Sequence, residues 1–171
     1  MKRRHEGDIN LLRIIHRLPQ NILKMHDTEN VCEFVLHDLC CQECFNLQKA
    51  AYFVDNPAFN CLKGVAGYEC SQAYNGDIWH DPEAFTEHMR ASDFNQKVRN
   101  AMHYSCKNCQ EPDEKVMQDI ATELGMEDFA YCTWDLKHDN HGYLIYQAKE
   151  APVEPEDLLS SLCFLGFCPI F

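Results

Sequence analysis

The sequence predicts an α+β domain with a central antiparallel sheet of about five to six strands and helices on both faces. Two pairs of short apolar segments, each joined by turn residues, are typical of β-hairpins. Segments with helical periodicity precede, separate and follow these hairpins, an order that favours antiparallel over parallel strands. The chain has 171 residues, of which 46% are hydrophobic, so it is long enough to bury a core and too apolar for a disordered chain.

The N-terminal part of the chain is predicted to be helical. Apolar side chains recur at roughly helical spacing over residues 8–18, and Pro19 is expected to stop or kink this helix, with 20–25 as its continuation. A second helix is expected from Asp27, a residue type that caps helix N-termini, to about Cys44. Its apolar positions follow the i, i+3, i+4 pattern and are Val31, Phe34, Val35, Leu39 and Cys40.

Sheet-like periodicity begins after the second helix. Residues 50–54 form a short apolar and aromatic run, turn residues follow, and a second run covers 61–68. The two runs are expected to pair as the antiparallel strands of a hairpin. Gly64 and Gly67 in the second strand indicate a close backbone approach, a bulge or a strand end.

The remaining elements complete a domain with two hairpins. Glycine, asparagine and aspartate residues separate these elements, and the last hairpin has polar residues between two strands rich in aromatic side chains. In chain order we expect a loop over 69–81, a helix over 82–103, a polar loop over 104–112, a helix over 113–124 with Gly125 after it, strands over 129–136 and 143–148, and a last helix from Glu156.

Charge and hydropathy exclude several classes of protein. The formal net charge is −12 and no basic residues cluster on one face, which argues against a nucleic-acid partner. No segment reaches the roughly 20 apolar residues of a membrane span, and no apolar segment of a secretory signal follows the basic N-terminal residues. We therefore expect a cytoplasmic protein whose cysteines are thiols, metal ligands or redox groups rather than structural disulfides.

The 11 cysteines are the unusual feature of the composition. Cys106 and Cys109 form a CxxC motif in a polar loop, a spacing that allows two thiolates to bind Zn²⁺ or iron, or to form a redox disulfide. A zinc site needs four ligands, and the candidates for the other two are His103, Cys70, His80 and Cys132. The positions where a small buried hydrophobic residue is expected instead are Cys32, Cys40, Cys61, Cys132 and Cys163.

Aromatic side chains near the sheet are the best indication of a small-molecule pocket. We expect Tyr68, Trp79, Phe94 and Trp134 to line it, with core packing as the alternative for Phe94 and Trp134. No GxSxG, HExxH, phosphate-loop or dinucleotide-binding motif occurs in the sequence, so no enzymatic activity is predicted.

Three stretches of the sequence resemble a GAF domain. They are the helix over 27–39, the two strands over 50–55 and 62–68, and the late hairpin that ends in 142–146. The resemblance covers most of residues 20–165 and implies a GAF/PAS-like fold and a regulatory sensor module of a signalling protein. The middle of the chain, residues 69–112, fits the pattern least, because the short strand usual there is not evident. The Asn-Lys-Phe-Asp-Glu signature of the cyclic-nucleotide-binding members is missing.

The function expected from this resemblance is that of a non-catalytic sensor domain that binds a small ligand. Residues 27–150 would form the sensor, flanked by an N-terminal helical segment over 1–26 and a C-terminal linker and helix over 151–171. The terminal segments would pass a signal to an output domain or partner. The apolar positions that we expect to pack against a second protomer in a homodimer, or else within one chain, are Ile9, Leu12, Ile15, Leu158, Leu159 and Leu162.

Two alternative functions remain open at this point. The first is a redox or metal sensor that uses Cys106 and Cys109. The second is a thiol enzyme of the sulfoxide-reductase kind, which would need a thiol of low pKa in a cleft and a resolving thiol within reach.

Overall fold

A computed structural model describes residues 2–25, 28–150 and 155–168 and confirms the α+β class. Over these residues the chain forms six α-helices and one open sheet of five antiparallel strands, in the order β3-β2-β1-β5-β4. The helices are α1 (Lys2–Lys24), α2 (Val31–Cys40), α3 (Pro82–Ala91), α4 (Asp93–Asn100), α5 (Asp113–Glu123) and α6 (Pro155–Leu162). The strands are β1 (Leu47–Asn56), β2 (Cys61–Glu69), β3 (Met102–His103), β4 (Ala130–Asp135) and β5 (His141–Ala148).

Helices cover both faces of the sheet. One face, here called the terminal face, carries Tyr52 and Leu144 and packs against α1, α2 and α6. The opposite face carries Phe53 and Ile145 and packs against α4 and α5. The central strand β1 is therefore buried on both sides, which explains its long apolar run, and both chain-terminal helices lie on the same side of the sheet.

A β-bulge changes which side chains of β2 face each side of the sheet. Tyr52 pairs with Ala66 and Phe53 pairs with Gly64, so Val65 is an extra residue in β2. Because of this extra residue, Leu62 lies on the face covered by α4 and α5, whereas Ala66 lies on the terminal face.

The first helix continues through Pro19 to Lys24, so Pro19 does not stop it and the continuation expected over 20–25 forms. The side chains of Ile14, Leu18 and Ile22 are buried against the terminal face. Their burial stabilises the helix by roughly 2 kcal/mol per side chain, which together exceeds the roughly 3 kcal/mol that an interior proline costs. The apolar periodicity was thus the stronger signal.

The second helix is shorter than expected. Asp27, the expected N-cap, lies outside the described residues, and Asn30 precedes the helix instead. The helix ends at Cys40 rather than Cys44 because the chain turns there, with the amide of Phe45 donating to the carbonyl oxygen of Leu39.

The single helix expected over 82–103 is divided in two. Ser92 interrupts it, and its hydroxyl accepts a hydrogen bond from the amide of Asn95 at 3.3 Å, which caps the start of α4. The helix also ends earlier than expected, and the short strand β3 pairs with Leu62 and Lys63 of β2. This is a strand within 69–112, the region where the sequence showed none.

The other elements agree with the prediction within a few residues. Both hairpins form, α5 is followed by Gly125 with a positive φ of 65°, and α6 occupies the predicted C-terminal position. No helix in the described ranges is long and apolar enough to cross a membrane.

Candidate functional site

A polar cleft lies between the start of α2, the helix α4 and the β1–β2 hairpin. It has two lobes, of about 540 Å³ and about 430 Å³, which share Glu29, Gln96 and Arg99. Lys63 of β2 lines the larger lobe and Arg90 of α3 lines the smaller one. Each lobe is within the volume range of small-molecule sites.

The smaller lobe is lined by a buried carboxylate with its hydrogen-bond donors. Glu33 of α2 is only 3% exposed. Its Oε1 accepts hydrogen bonds from Arg99 Nη1 at 2.7 Å and from Asn95 Nδ2 at 2.8 Å. Its Oε2 accepts one from Asn30 Nδ2 at 2.9 Å. We call these four residues the Glu33 network; it satisfies a buried charge with one cation and two amides.

The Glu33 network also joins separate elements of the fold. The Oδ1 of Asn95 accepts a hydrogen bond from the amide of Gly67 in β2 at 2.9 Å, and its Nδ2 donates to the carbonyl oxygen of Met89 in α3. Asn30 Nδ2 donates to Thr86 Oγ1 at 3.1 Å. The network therefore fixes α2, α3, α4 and β2 relative to one another at the cleft.

Two glycines allow α4 to approach β2 closely enough for these bonds. A Cβ atom on Gly64 would lie 1.8 Å from the carbonyl oxygen of Val98, and one on Gly67 would lie 2.9 Å from Val98 Cγ2. The amide of Gly64 donates to the carbonyl oxygen of Ala101 at 3.0 Å. Of the alternatives predicted for Gly64 and Gly67, the structure has the close approach, and it positions Asn95 and Arg99.

Each lobe of the cleft has an exposed cation of its own, Lys63 or Arg90, and both lobes share the carboxylate of Glu29. Lys63 and Arg90 are exposed, and no acidic side chain of the described residues lies within ion-pair distance of either. The Oδ1 of Asn140, at the wall of the larger lobe, is buried and has no hydrogen-bond partner among the described residues. These groups suit a ligand that has an anionic group and a hydrogen-bond donor.

The four aromatic residues predicted to line a pocket are not brought together. Tyr68, Trp79 and Trp134 lie on the terminal face, whereas Phe94 lies on the opposite one. Neither lobe of the cleft includes any of them. Each of the four side chains packs within the fold, which was the alternative given for Phe94 and Trp134. The rings of Trp134 and Tyr52 stack with their centroids 5.5 Å apart, and Lys49 Nζ lies 5.5 Å from the centroid of the Phe94 ring.

Trp79 and Tyr68 contact two ionisable residues of α2, the buried His37 and the half-buried Asp38. The indole of Trp79 donates to Asp38 Oδ2 at 2.6 Å, and the ring of Tyr68 packs edge-on against His37 at 5.6 Å. The amide of Tyr74 donates to His37 Nε2 at 3.2 Å. Burial lowers the pKa of His37 to about 4 and raises the pKa of Asp38 to about 6. The hydrogen bond between Trp79 and Asp38 therefore holds the loop before α3 against α2.

Cys106 and Cys109, the predicted metal or redox pair, differ in their exposure to solvent. Cys106 is buried, and Cys109 is exposed and accepts a hydrogen bond from the amide of Glu111 at 3.4 Å. Burial and the nearby carboxylates of Asp55 and Asp113 raise the pKa of Cys106 to about 12. Within the described ranges, no three or more His, Cys, Asp or Glu side chains are arranged to hold a metal ion.

The residues of the Glu33 network were not identified from the sequence. Two signals could have indicated them. Glu33 is a charged residue within the apolar, buried helix α2, and Asn95 and Arg99 are one turn apart on α4, so they share a face.

No protein-family model matches the chain, and no curated protein sequence matches it. Its function is therefore inferred from the geometry of the cleft and from the resemblance in the sequence.

Proposed function

We propose that the chain is a non-catalytic regulatory sensor domain of the GAF kind, which binds a small anionic molecule in the cleft above the Glu33 network. The observation that carries this proposal is that two exposed cations, Lys63 and Arg90, line the two adjoining lobes of the cleft, which share the Arg99 that binds the buried Glu33. The α+β fold with helices on both faces of an antiparallel sheet supports the GAF resemblance.

The chemistry of the ligand follows from the groups at the cleft. Lys63 and Arg90 attract a carboxylate or phosphate, and Arg99 has further N–H donors besides the one bound to Glu33. The free Oδ1 of Asn140 would accept a hydrogen bond from the ligand. With a net charge of −12 on the whole chain, an anion would be repelled from most other surfaces and drawn to this one.

The helix α2 is the element through which binding would reach the terminal helices. Glu33 of α2 contacts Arg99 in the cleft, and the neighbouring Cys32 is buried on the terminal face. Leu18 of α1 and Leu158 of α6 belong to the same buried cluster as Cys32. A ligand that moves Arg99 would change the position of α2 and hence its packing against both terminal helices.

The terminal helices would then pass the signal to an output domain or a second protomer, with 1–26 and 151–171 as signalling segments and 27–150 as the sensor. Leu158 and Leu162 pack within the chain, whereas Leu12 is 66% exposed. The side chain of Ile9 lies outside the described residues. We propose that Leu12 is available for a homodimer contact. All eleven cysteines are free thiols, which favours a reducing, cytoplasmic setting.

A thermal-shift experiment tests the ligand site. A panel of small carboxylates and phosphates, each at about 10 mM, should include at least one that raises the melting temperature by several degrees. The Lys63→Ala, Arg90→Ala double variant should lose most of that shift. Lys97→Ala is the matched control, because Lys97 is an exposed cation of α4 that does not line the cleft. An equal shift in the double variant would contradict the proposal.

The alternatives based on Cys106 and Cys109 lack comparable support. A thiol enzyme needs a thiolate near neutral pH, and the pKa of Cys106 is raised rather than lowered. Metal analysis of protein purified without a chelator separates the metal-sensor alternative from the proposed function. Near-stoichiometric zinc or iron that is lost in Cys109→Ser would favour the metal sensor.

A further inference from the structure

The larger lobe of the cleft has an apolar wall in addition to its polar groups. Val54, Phe59 and Val65 line it. Val54 is buried and Val65 is half-buried, but Phe59 is 81% exposed, so packing within the described residues does not account for its position. An aromatic ring at the edge of a cavity suits contact with an apolar part of a ligand.

The turn that carries Phe59 is fixed by side-chain hydrogen bonds. Phe59 ends the short helical turn Pro57–Phe59 between β1 and β2, and its amide donates to Asn56 Oδ1 at 3.2 Å. Asn108 Nδ2 donates to the carbonyl oxygen of Pro57 at 2.7 Å, which ties the turn to the segment after β3. The backbone at Phe59 is therefore ordered before a ligand binds, and this lowers the entropic cost of binding.

The strand register places a cation and an unpaired acceptor on opposite sides of the apolar wall. Lys63 of β2 pairs with Val54 of β1. Asn140 immediately precedes His141 of β5, which pairs with Asp55 of β1. Lys63 and Asn140 thus lie two strands apart, which is roughly 10 Å at the usual spacing of strands. A ligand that contacts both side chains therefore needs a body longer than acetate or phosphate.

We propose that the larger lobe binds an aromatic carboxylate that has a hydrogen-bond donor at the far end of its ring. The carboxylate would face Lys63, the ring would pack on Phe59, and the donor would reach the free Oδ1 of Asn140. Because the carboxylate of Glu29 also lines the lobe, a ligand with one negative charge fits better than a dianion. This ligand class rests on the proposed function, since both concern the same cleft.

Three probes separate the contributions of the anion, the ring and the donor. Acetate supplies the anion, phenylacetate adds the ring, and 4-hydroxyphenylacetate adds an O–H donor at its far end. In calorimetric titrations, the dissociation constant should fall at least about tenfold from acetate to phenylacetate and roughly threefold further to 4-hydroxyphenylacetate. Equal affinities for acetate and phenylacetate would overturn the proposal. Phosphate binding that depends on Lys63 and Arg90, without binding of phenylacetate, would overturn this proposal alone and leave the proposed function standing.

Cys61 reports where a probe binds, because its half-buried side chain lines the larger lobe. Saturating 4-hydroxyphenylacetate should slow the alkylation of Cys61 by iodoacetamide several-fold, as measured by peptide mass spectrometry. The exposed Cys109 and Cys163 line neither lobe and should react at unchanged rates. A rise in melting temperature without protection of Cys61 would mean that the probe binds elsewhere, and it would overturn the proposal.

Two variants test the ring contact and the donor contact separately. Phe59→Ala should weaken binding of phenylacetate to the level of acetate, and Asn140→Ala should weaken binding of 4-hydroxyphenylacetate to the level of phenylacetate. Tyr104→Ala is the matched control, because Tyr104 is 79% exposed and lines neither lobe. This control should keep the wild-type affinity for all three probes. An unchanged affinity of Phe59→Ala for phenylacetate would contradict the proposal.

Discussion

His37 and Asp38 are neighbouring residues of α2, and burial shifts their pKa values in opposite directions. The pKa of His37 falls to about 4, below its usual value of 6.5, so the stability that its neutral form contributes is present above pH 6.5 and is lost as the pH falls through 4. The pKa of Asp38 rises to about 6, above 3.8, so its contribution is present below pH 3.8 and is lost as the pH rises through 6. Between pH 7 and 4 the two effects nearly cancel.

Substitution of either residue should expose the pH dependence of stability that the other residue contributes. When the pH falls from 7 to 4, the unfolding free energy of His37→Gln should rise by roughly 2 to 3 kcal/mol relative to that of the wild type. The reason is that the variant lacks the destabilisation that protonation of His37 causes. Asp38→Asn should lose a similar amount. Gln and Asn keep an acceptor for the amide of Tyr74 and the indole of Trp79, respectively. Urea denaturation at several pH values measures both profiles.

A control variant distinguishes these residues from the general effect of acid. Glu87 is an exposed carboxylate on α3, so Glu87→Gln should follow the wild-type profile. Parallel profiles for His37→Gln, Asp38→Asn and the wild type would show that burial does not shift the two pKa values as described.

At the scale of elements, the docking of α4 on β2 decides whether the cleft forms. Its closest point is at Gly64, where a Cβ atom would meet backbone rather than a movable side chain. The Glu33 network is made by residues of α2 and α4 that lie 62 and 66 residues apart. Any shift of α4 away from β2 would therefore lengthen the hydrogen bonds to the buried Glu33 carboxylate.

Gly64→Ala should destabilise the fold by roughly 1 to 3 kcal/mol, since the added methyl group overpacks the contact with Val98. Thermal and urea unfolding measure this change. The control is Gly166→Ala, whose added Cβ would lie 3.3 Å from the end of the Leu136 side chain and should cost less than roughly 0.5 kcal/mol. Equal stability of the two variants would contradict the close docking of α4.

At the scale of the whole molecule, both terminal helices pack on one face of the sheet. α1 and α6 share a buried cluster with α2, and Leu158 is fully buried within it. The sequence left open whether the terminal apolar positions pack within the chain or between protomers. Leu158 and Leu162 are buried within the chain, whereas Leu12 is exposed.

Light scattering tests the proposed homodimer. At about 100 μM the wild-type chain should have the mass of a dimer, and Leu12→Glu should return it to a monomer by placing a charge in the apolar contact. Gln20→Glu adds the same charge at another exposed position of α1 and should remain dimeric. A monomeric wild-type chain would remove the dimer from the proposal.

The sequence by itself determined the α+β class, both hairpins and the approximate position of most helices. These features depend on periodicity within about ten residues, such as the apolar run of β1 and the turn chemistry after it. It also indicated a close approach at Gly64 and Gly67. At Pro19 the local signal for a helix stop was overridden, because buried side chains of α1 keep the helix continuous.

Only the tertiary structure decided where the cleft lies and which residues form it. Glu33, Asn95 and Arg99 meet because α4 docks on two glycines of β2, and no local pattern relates α2 to α4. For the same reason the aromatic residues that stood out in the sequence are divided between two faces of the sheet. Long-range packing decides which polar groups share a buried site, because hydrogen bonds to a buried carboxylate form only where separate elements meet.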